Sequence, residues 1–373
     1  MQQPVAVSRA FSAALTTKIF SGSNIIWIHL AGDEGRAERA IDAVMKQRKE
    51  LKTFVLHTWD ALDGASWAPV RPGVTGPAAT RSEALRDPLN ALNALTDRYD
   101  MGSVPDQNCI TIMRDLHKML NDERHFGLRR CILQIGKEGL LNLHKRVRPI
   151  VILADTPTPH ADIREYCDVI EFALPSAKEM QTDVVDWIWT CAHDTEKATK
   201  QLEIPPLTPD MRDRLTQALL GTSAQEAARI LSFAFATSLG FNEKNFDVIA
   251  REKSAVIQKV EGLKFIPADE IPPITHFGGF GAFTQWLERR GRLYSRHARE
   301  LQQELPRGCV LIGPPGTGKT EVAKAAARVL GLDLLIMDIG ALFDKFVGGT
   351  EKKIRAAIQT VDALPQCLLM VDV

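Results

Sequence analysis

Gly308-Cys309-Val310-Leu311-Ile312-Gly313-Pro314-Pro315-Gly316-Thr317-Gly318-Lys319-Thr320 is the stretch whose reading decides the fold. It predicts a short apolar strand over 309–312, then a glycine-rich loop, then a helix starting near Gly318. Residues 313–320 fit the phosphate-cradling spacing G-x-x-x-x-G-K-[ST]. Glycines let the backbone turn its N–H groups inward around a triphosphate, and the helix start adds the positive end of its dipole. The helix-forming run Glu321 to Leu330, rich in alanine, supports that start. Average residue usage produces the bare spacing by chance in roughly one chain of this length in a hundred. A nucleoside triphosphate with Mg²⁺ is therefore the expected ligand. Lys319 is expected to reach its phosphates, and Thr320 to ligate the metal. Gly313, Pro314, Pro315, Gly316, Thr317, Gly318, Lys319, Thr320 and Glu321 are the candidate nucleotide-binding residues.

The 373 residues allow two or three domains. Basic and acidic residues balance at 46 each, so no overall field points to nucleic acid or to a membrane surface. The sequence holds no apolar run of membrane-spanning length. Its six cysteines form no CxxC pair and mostly sit beside apolar residues, as in reduced cytosolic proteins. A cytoplasmic location follows, or the plastid stroma in a eukaryote. The first 32 residues lack acids; they read either as a transit peptide or as a helix over Phe11–Phe20 feeding a strand.

Short apolar runs predict strands at 24–30, 53–59, 109–115, 149–154 and 169–174. Helical segments separate them, among them 33–49. That alternation means a parallel sheet covered on both faces. Residues 61–88 read as a long surface loop. From Ser176 the pattern turns helical. Ser176/Glu179 and Ser223/Glu226 are capping boxes, and Thr208-Pro209 is a cap before a first-turn proline. Phe246, Ile249, Lys253, Val256, Ile257 and Val260 form a largely apolar helical stripe. A proline-rich joint (Pro267, Pro272, Pro273) leads to strands at 309–312, 333–337 and 367–372. The expected domains are thus 1–175, 176–265 and 266–373.

The last hundred residues resemble the AAA+ ATPase superfamily. The motifs that carry this are Pro306-Arg307-Gly308 with the glycine loop, and His276-Phe277-Gly278-Gly279-Phe280, similar to the turn that touches adenine. Lys345-Phe346-Val347-Gly348-Gly349-Thr350-Glu351 followed by Arg355, and the Walker B strand Leu368 to Asp372, complete the set. The layout is similar to the AAA ATPase family of cyanobacteria and plastids known as a hypothetical chloroplast reading frame. His57-Thr58-Trp59-Asp60 and Ile110 to His117 resemble segments of that subfamily. The resemblance implies an α/β fold: a P-loop NTPase (AAA+) parallel-sheet core, incomplete at the C-terminus, preceded by a degenerate P-loop-like α/β domain and a helical lid-like domain. It implies ATP and Mg²⁺ as ligands, with Lys319 and Asp372 as catalytic residues and Thr320 and Asp372 on the metal. It implies a protein client or regulatory partner and a homo-oligomer when the core is complete.

Two departures qualify that reading. The first domain has Leu30-Ala-Gly-Asp-Glu-Gly-Arg36 where the glycine loop would be, and Asp115-Leu116 at its Walker-B-like strand end. It reads as a degenerate P-loop-like domain or as an unrelated flavodoxin-like one. Val373 stands where the family places its catalytic glutamate, so the chain reads as a fragment or as a truncated ATP binder. Two function classes follow: an ATPase that remodels a protein client, or a nucleotide-gated scaffold with little or no hydrolysis. Phe346 likewise has two readings, a client-gripping residue on a pore loop or a core residue beneath the helix starting near Thr350. Trp187, Trp189 and Cys191 read as packing. Arg129-Arg130 with Lys145-Arg146 and Arg148 reads as a solvated helix face or as a phosphate or RNA contact.

Overall fold

The computed structural model describes residues 7–30, 32–62, 64–66, 86–95, 108–139, 147–199, 203–276, 278–291, 308–342, 349–364 and 367–372. The chain divides into two units, Met1–Leu174 and Pro175–Val373.

The first unit is built on β1 (Ile25–Leu30), β2 (Val55–Asp60), β3 (Gly64–Ser66), β4 (Cys109–Met113), β5 (Ile150–Ala154) and β6 (Asp168–Phe172). They stand in the order β3-β2-β4-β5-β1-β6. Five are parallel; only β3 runs antiparallel, against β2. Strands such as CITIM and IVILA are buried along their whole length, because helices cover both faces. Alternate residues feed two cores. Ile26, Ile28, Ile110, Ile112, Val151 and Leu153 face α1 (Arg9–Phe20) and α2 (Glu34–Gln47). Ile25, Trp27, Met113, Ile150 and Ile152 face α3 (Pro88–Leu95), α4 (Leu116–Leu120) and α5 (Phe126–Gly139). Strand β1 lies between β5 and β6, while β2, next in sequence, lies beyond β4. The chain therefore reverses direction across the sheet at β1, and the carboxyl end of that strand is a topological switch point. The expected loop over 61–88 contains β3 and the start of α3; much of the rest falls outside the described residues.

The second unit begins with helices: α6 (Ala177–Met180), a π turn over Gln181–Val185, α7 (Asp186–Thr199), α8 (Pro209–Leu219), α9 (Ala224–Ser238) and α10 (Lys244–Ile257). Both capping boxes form as the sequence predicts, and Thr208 caps the N–H of Met211. Trp189 is buried; its indole N–H donates to Pro205 O at 3.1 Å, and its ring meets Phe235 and Phe241 edge-on. Trp187 and Cys191 are half-buried on the same helix. These are packing roles.

A three-stranded sheet follows: β7 (Leu263–Ile266), β8 (Asp333–Asp338) and β9 (Cys367–Asp372). Strands β8 and β9 are parallel, and β7 adds to β8 antiparallel. Helices α11 (Gly281–Gly291), α12 (Lys319–Leu330), α13 (Ile339–Leu342) and α14 (Gly349–Ala363) surround it. Strand β7 is absent from the sequence reading. Its alternation, Leu263 and Phe265 buried with Lys264 exposed, spans four residues and is too short to carry a period.

Two expectations are corrected. Residues 309–312 are not a strand: they are extended without ladder partners among the described residues, and Val310 and Ile312 are 84% and 94% exposed. A parallel strand exists only through its neighbours. In the first unit β1 has β5 and β6 on its two sides, whereas 309–312 has no such pair among the described residues. Cys309 is exposed for the same reason. Arg129 does not lie on a solvated face. Its guanidinium is buried, donates to Leu120 O and Asp122 O, and stands 3.2 Å from Asp162. Lys145 and Arg146 lie outside the described residues.

Candidate nucleotide site

Helix α12 starts at Lys319, as the sequence predicts for this loop. Its N-cap, Gly318, has φ 83°, and Gly316 has φ 81°. Both conformations are left-handed and cost a residue with a Cβ about 1–2 kcal/mol. Thr317 lies between them. A Cβ at Gly313 would stand 2.9 Å from Thr317 Oγ1, so a side chain there would push the threonine hydroxyl aside. Thr317 Oγ1 donates to Pro314 O at 2.8 Å. No side chain caps the helix start, so the first-turn N–H groups and the dipole face the loop. This backbone suits an anion.

Lys319 Nζ donates to Gly313 O at 2.9 Å and to Pro314 O at 3.1 Å. Its ammonium is folded back onto the carbonyls of its own loop. A phosphate that takes those bonds replaces neutral acceptors with charged ones, which form hydrogen bonds roughly twice as strong. Thr320 is half-buried at the second position of α12. Glu321 is turned along its own helix, where it accepts from Lys324 Nζ at 2.7 Å. The ring of Phe280, just before α11, lies 3.9 Å from where a Cβ at Gly318 would stand. The sequence reading singled out this segment by its resemblance to the turn that touches adenine; the structure adds that Phe280 stands beside Gly318.

Asp372 ends β9, is exposed, and stands in register with Asp338 at the end of β8. Helix α12 packs against both strands. The fold thus lays the helix bearing Lys319 and Thr320 on the strand bearing Asp372. Asp338 was not singled out in sequence; its carboxylate caps α13 by accepting from Ala341 N at 3.0 Å. Phe346, with the rest of 343–348, lies outside the described residues, as do Phe277 and Val373.

The sequence matches three family models. Residues 309–372 match the ATPase family associated with various cellular activities (AAA). Residues 11–172 match the N-terminal domain of SpoVK-like AAA ATPases, and 192–260 their second domain. This chain belongs to the AAA+ ATPase family. It is 25% identical over 348 residues to the uncharacterized AAA domain-containing protein ycf46 of Guillardia theta, covering 93% of this chain and 61% of that protein. It is 28% identical to the ycf46 protein of Trieres chinensis, covering 93% and 62%. Over 72 residues it is 35% identical to the ATP-dependent zinc metalloprotease FtsH 4 of Synechocystis, 19% of this chain and 12% of that one. The chain thus spans about three fifths of the length of its ycf46 relatives.

The first unit of this AAA+ chain has its own loop at the switch point after β1, and its chemistry is reversed. Asp33 caps α2, accepting from Arg36 N at 3.1 Å, so a carboxylate already occupies the helix start. Arg36 is buried, stacks 4.5 Å from the Phe172 ring centre and donates to Ala173 O. Arg114, just after β4, is chelated by Glu38, donates to Asp60 at 3.3 Å and stands 4.0 Å from Glu34. Its hydrogen bonds to Glu38 hold its guanidinium more firmly protonated than usual. Burial, then Glu38 and Asp115, push the Glu34 carboxyl upward. Asp115 itself is left-handed at φ 54°. Acids stand where a triphosphate would need donors.

Proposed function

We propose that this chain binds ATP·Mg²⁺ on the loop 313–321, and that in the longer protein this site drives remodelling of a protein client. The observation that supports it is the loop itself: two left-handed glycines, a helix start without a side-chain cap and, among the described residues, a lysine held by the carbonyls of its own loop. Lys319 contacts the terminal phosphates, Thr320 and Asp372 hold the metal, and the 313–318 backbone cradles the phosphate oxygens. The bound metal supplies neutralisation of phosphate charge. Assembly into a homo-oligomer and a client grip at Phe346 belong to the same reading, as does a location in the cytoplasm or plastid stroma. Among the described residues no helix is long and apolar enough to cross a membrane. One observation favours a second reading, a nucleotide-gated scaffold with little hydrolysis. The first unit keeps the parallel sheet but fills its switch point with its own ion pairs, as a docking unit would.

Lys319→Ala tests the first reading. Each charge-assisted bond to phosphate contributes about 1.5–3 kcal/mol, so ATP affinity in calorimetry should fall at least roughly tenfold. Unchanged affinity overturns it.

A further inference from the structure

Helix α14 connects the segment containing Phe346 to β9, which ends on Asp372. Ala357, with Ile354 and Val361, packs it into the cluster of Ile257, Leu263 and Phe265, and a contact near each end ties it to the turns of the preceding helices. Near its start, Lys353 Nζ donates to Glu261 Oε1 at 2.8 Å, in the turn between α10 and β7. Just past its end, Leu364 lies over Gly221 in the turn between α8 and α9. A Cβ at Gly221 would come within 2.4 Å of Leu364 Cδ2, so the two turns meet without room for a methyl group. A third contact joins the same turn to the sheet. Gly262 O accepts from Asp338 N at 2.9 Å, and a Cβ at Gly262 would meet the Leu342 side chain at 2.6 Å. Asp338 is the register partner of Asp372. Two residues past β7, Ala268 accepts from Arg328 of α12 at 3.0 Å, and its N–H donates to Asp333.

The turns that flank α8–α10 therefore touch the end of β8 and both ends of α14, and the segment just past β7 touches α12. Interiors this close-packed transmit displacement rather than absorb it. We propose that α8–α10 form a regulatory clamp: by holding α14 at both ends they set the position of the Asp372 strand, and so the nucleotide affinity of the loop. A partner acting on these helices would be read at the nucleotide site with no contact to it.

The test uses the full 373-residue chain. Glu261→Lys removes the grip near the start of α14, Leu364→Ala loosens the one at its end, and Glu261→Lys with Lys353→Glu restores the ion pair reversed. Amide exchange over 349–363 and 367–372 is measured beside calorimetric ATP·Mg²⁺ affinity. Glu261→Lys should speed exchange in α14 by about two- to fivefold, the factor an exposed ion pair carries, and move ATP affinity by a similar factor. Leu364→Ala should do more, and the reversed pair should return both readouts to wild type. Exchange in α14 that is unchanged in both single variants overturns the clamp. Exchange that changes while ATP affinity stays fixed overturns its regulatory role. The affinity readout rests on the ATP reading above; a wild-type chain that binds no ATP sinks that reading, and the α14 exchange still decides the clamp.

Discussion

Lys253 shows how one buried charge is tolerated in this fold. It sits in the apolar stripe of α10, is 3% exposed, and its ammonium lies 5.4 Å from the ring centre of Phe265 on β7. Burial pushes it down to about 8, although Asp333 and Cys367 pull the other way. The folded chain thus gives up this proton near pH 8 while the unfolded chain keeps it to about 10.5. Between those values the unfolded state binds more protons, so stability rises with pH. The cost is fully present below about pH 8 and relieved by pH 10.5, an amount on the order of 3 kcal/mol. Chemical denaturation across that window should show the rise in the wild type and a flat difference in Lys253→Met. Equal pH dependence in the two proteins would show that the ammonium is hydrated. The stripe was legible in sequence. That its single lysine points inward was not, because β7, which covers it, carries no sequence period.

The phosphate loop is the element whose function depends most on backbone alone. A Cβ at Gly318 has room, with only Phe280 nearby at 3.9 Å, so the obstacle there is conformational rather than steric. Gly318→Ala should therefore fold, lose about 1–2 kcal/mol in unfolding free energy, and bind ATP more weakly as φ 83° relaxes. A variant with wild-type affinity would mean that the left-handed turn is dispensable for the cradle. Helix α9 is specified by side chains instead. Ser223 accepts from Glu226 N while Glu226 reaches back to Ser223 N at 3.2 Å. Ser223→Ala should cost about 1 kcal/mol in urea denaturation. A loss within error would place the capping energy elsewhere in the turn.

At the scale of the whole molecule two loops lead into a helix start, one before α2 and one before α12, and only the second has the chemistry of an anion site. The loop after β1 presents Asp33, Glu34 and Glu38 around Arg114, and the nearby Lys118 is paired with Asp115. A triphosphate there would meet like charges and would displace a paired carboxylate. We expect one ATP per chain by calorimetry, with the bound nucleotide lost in Lys319→Ala. A stoichiometry of two would overturn this division between the units. Arg114→Ala should not create a second site, since it leaves Asp60, Glu34 and Glu38 without their cation.

What the sequence determined by itself is whatever is encoded locally. The parallel sheet of the first unit, both capping boxes and the start of α12 could be read from runs and spacings within about twenty residues. So could the family, because thirteen consecutive residues hold the phosphate loop. Tertiary structure alone decided what depends on distant partners. It left 309–312 without ladder partners among the described residues, since a parallel strand needs neighbours that its own residues do not specify. It added β7 to β8, made Arg129 a buried donor, and filled the first switch point with Arg114 and its acids. It also set Gly221 against Leu364, two residues no local pattern connects. Local propensity fixes which elements form; which surfaces meet depends on packing summed over the whole unit.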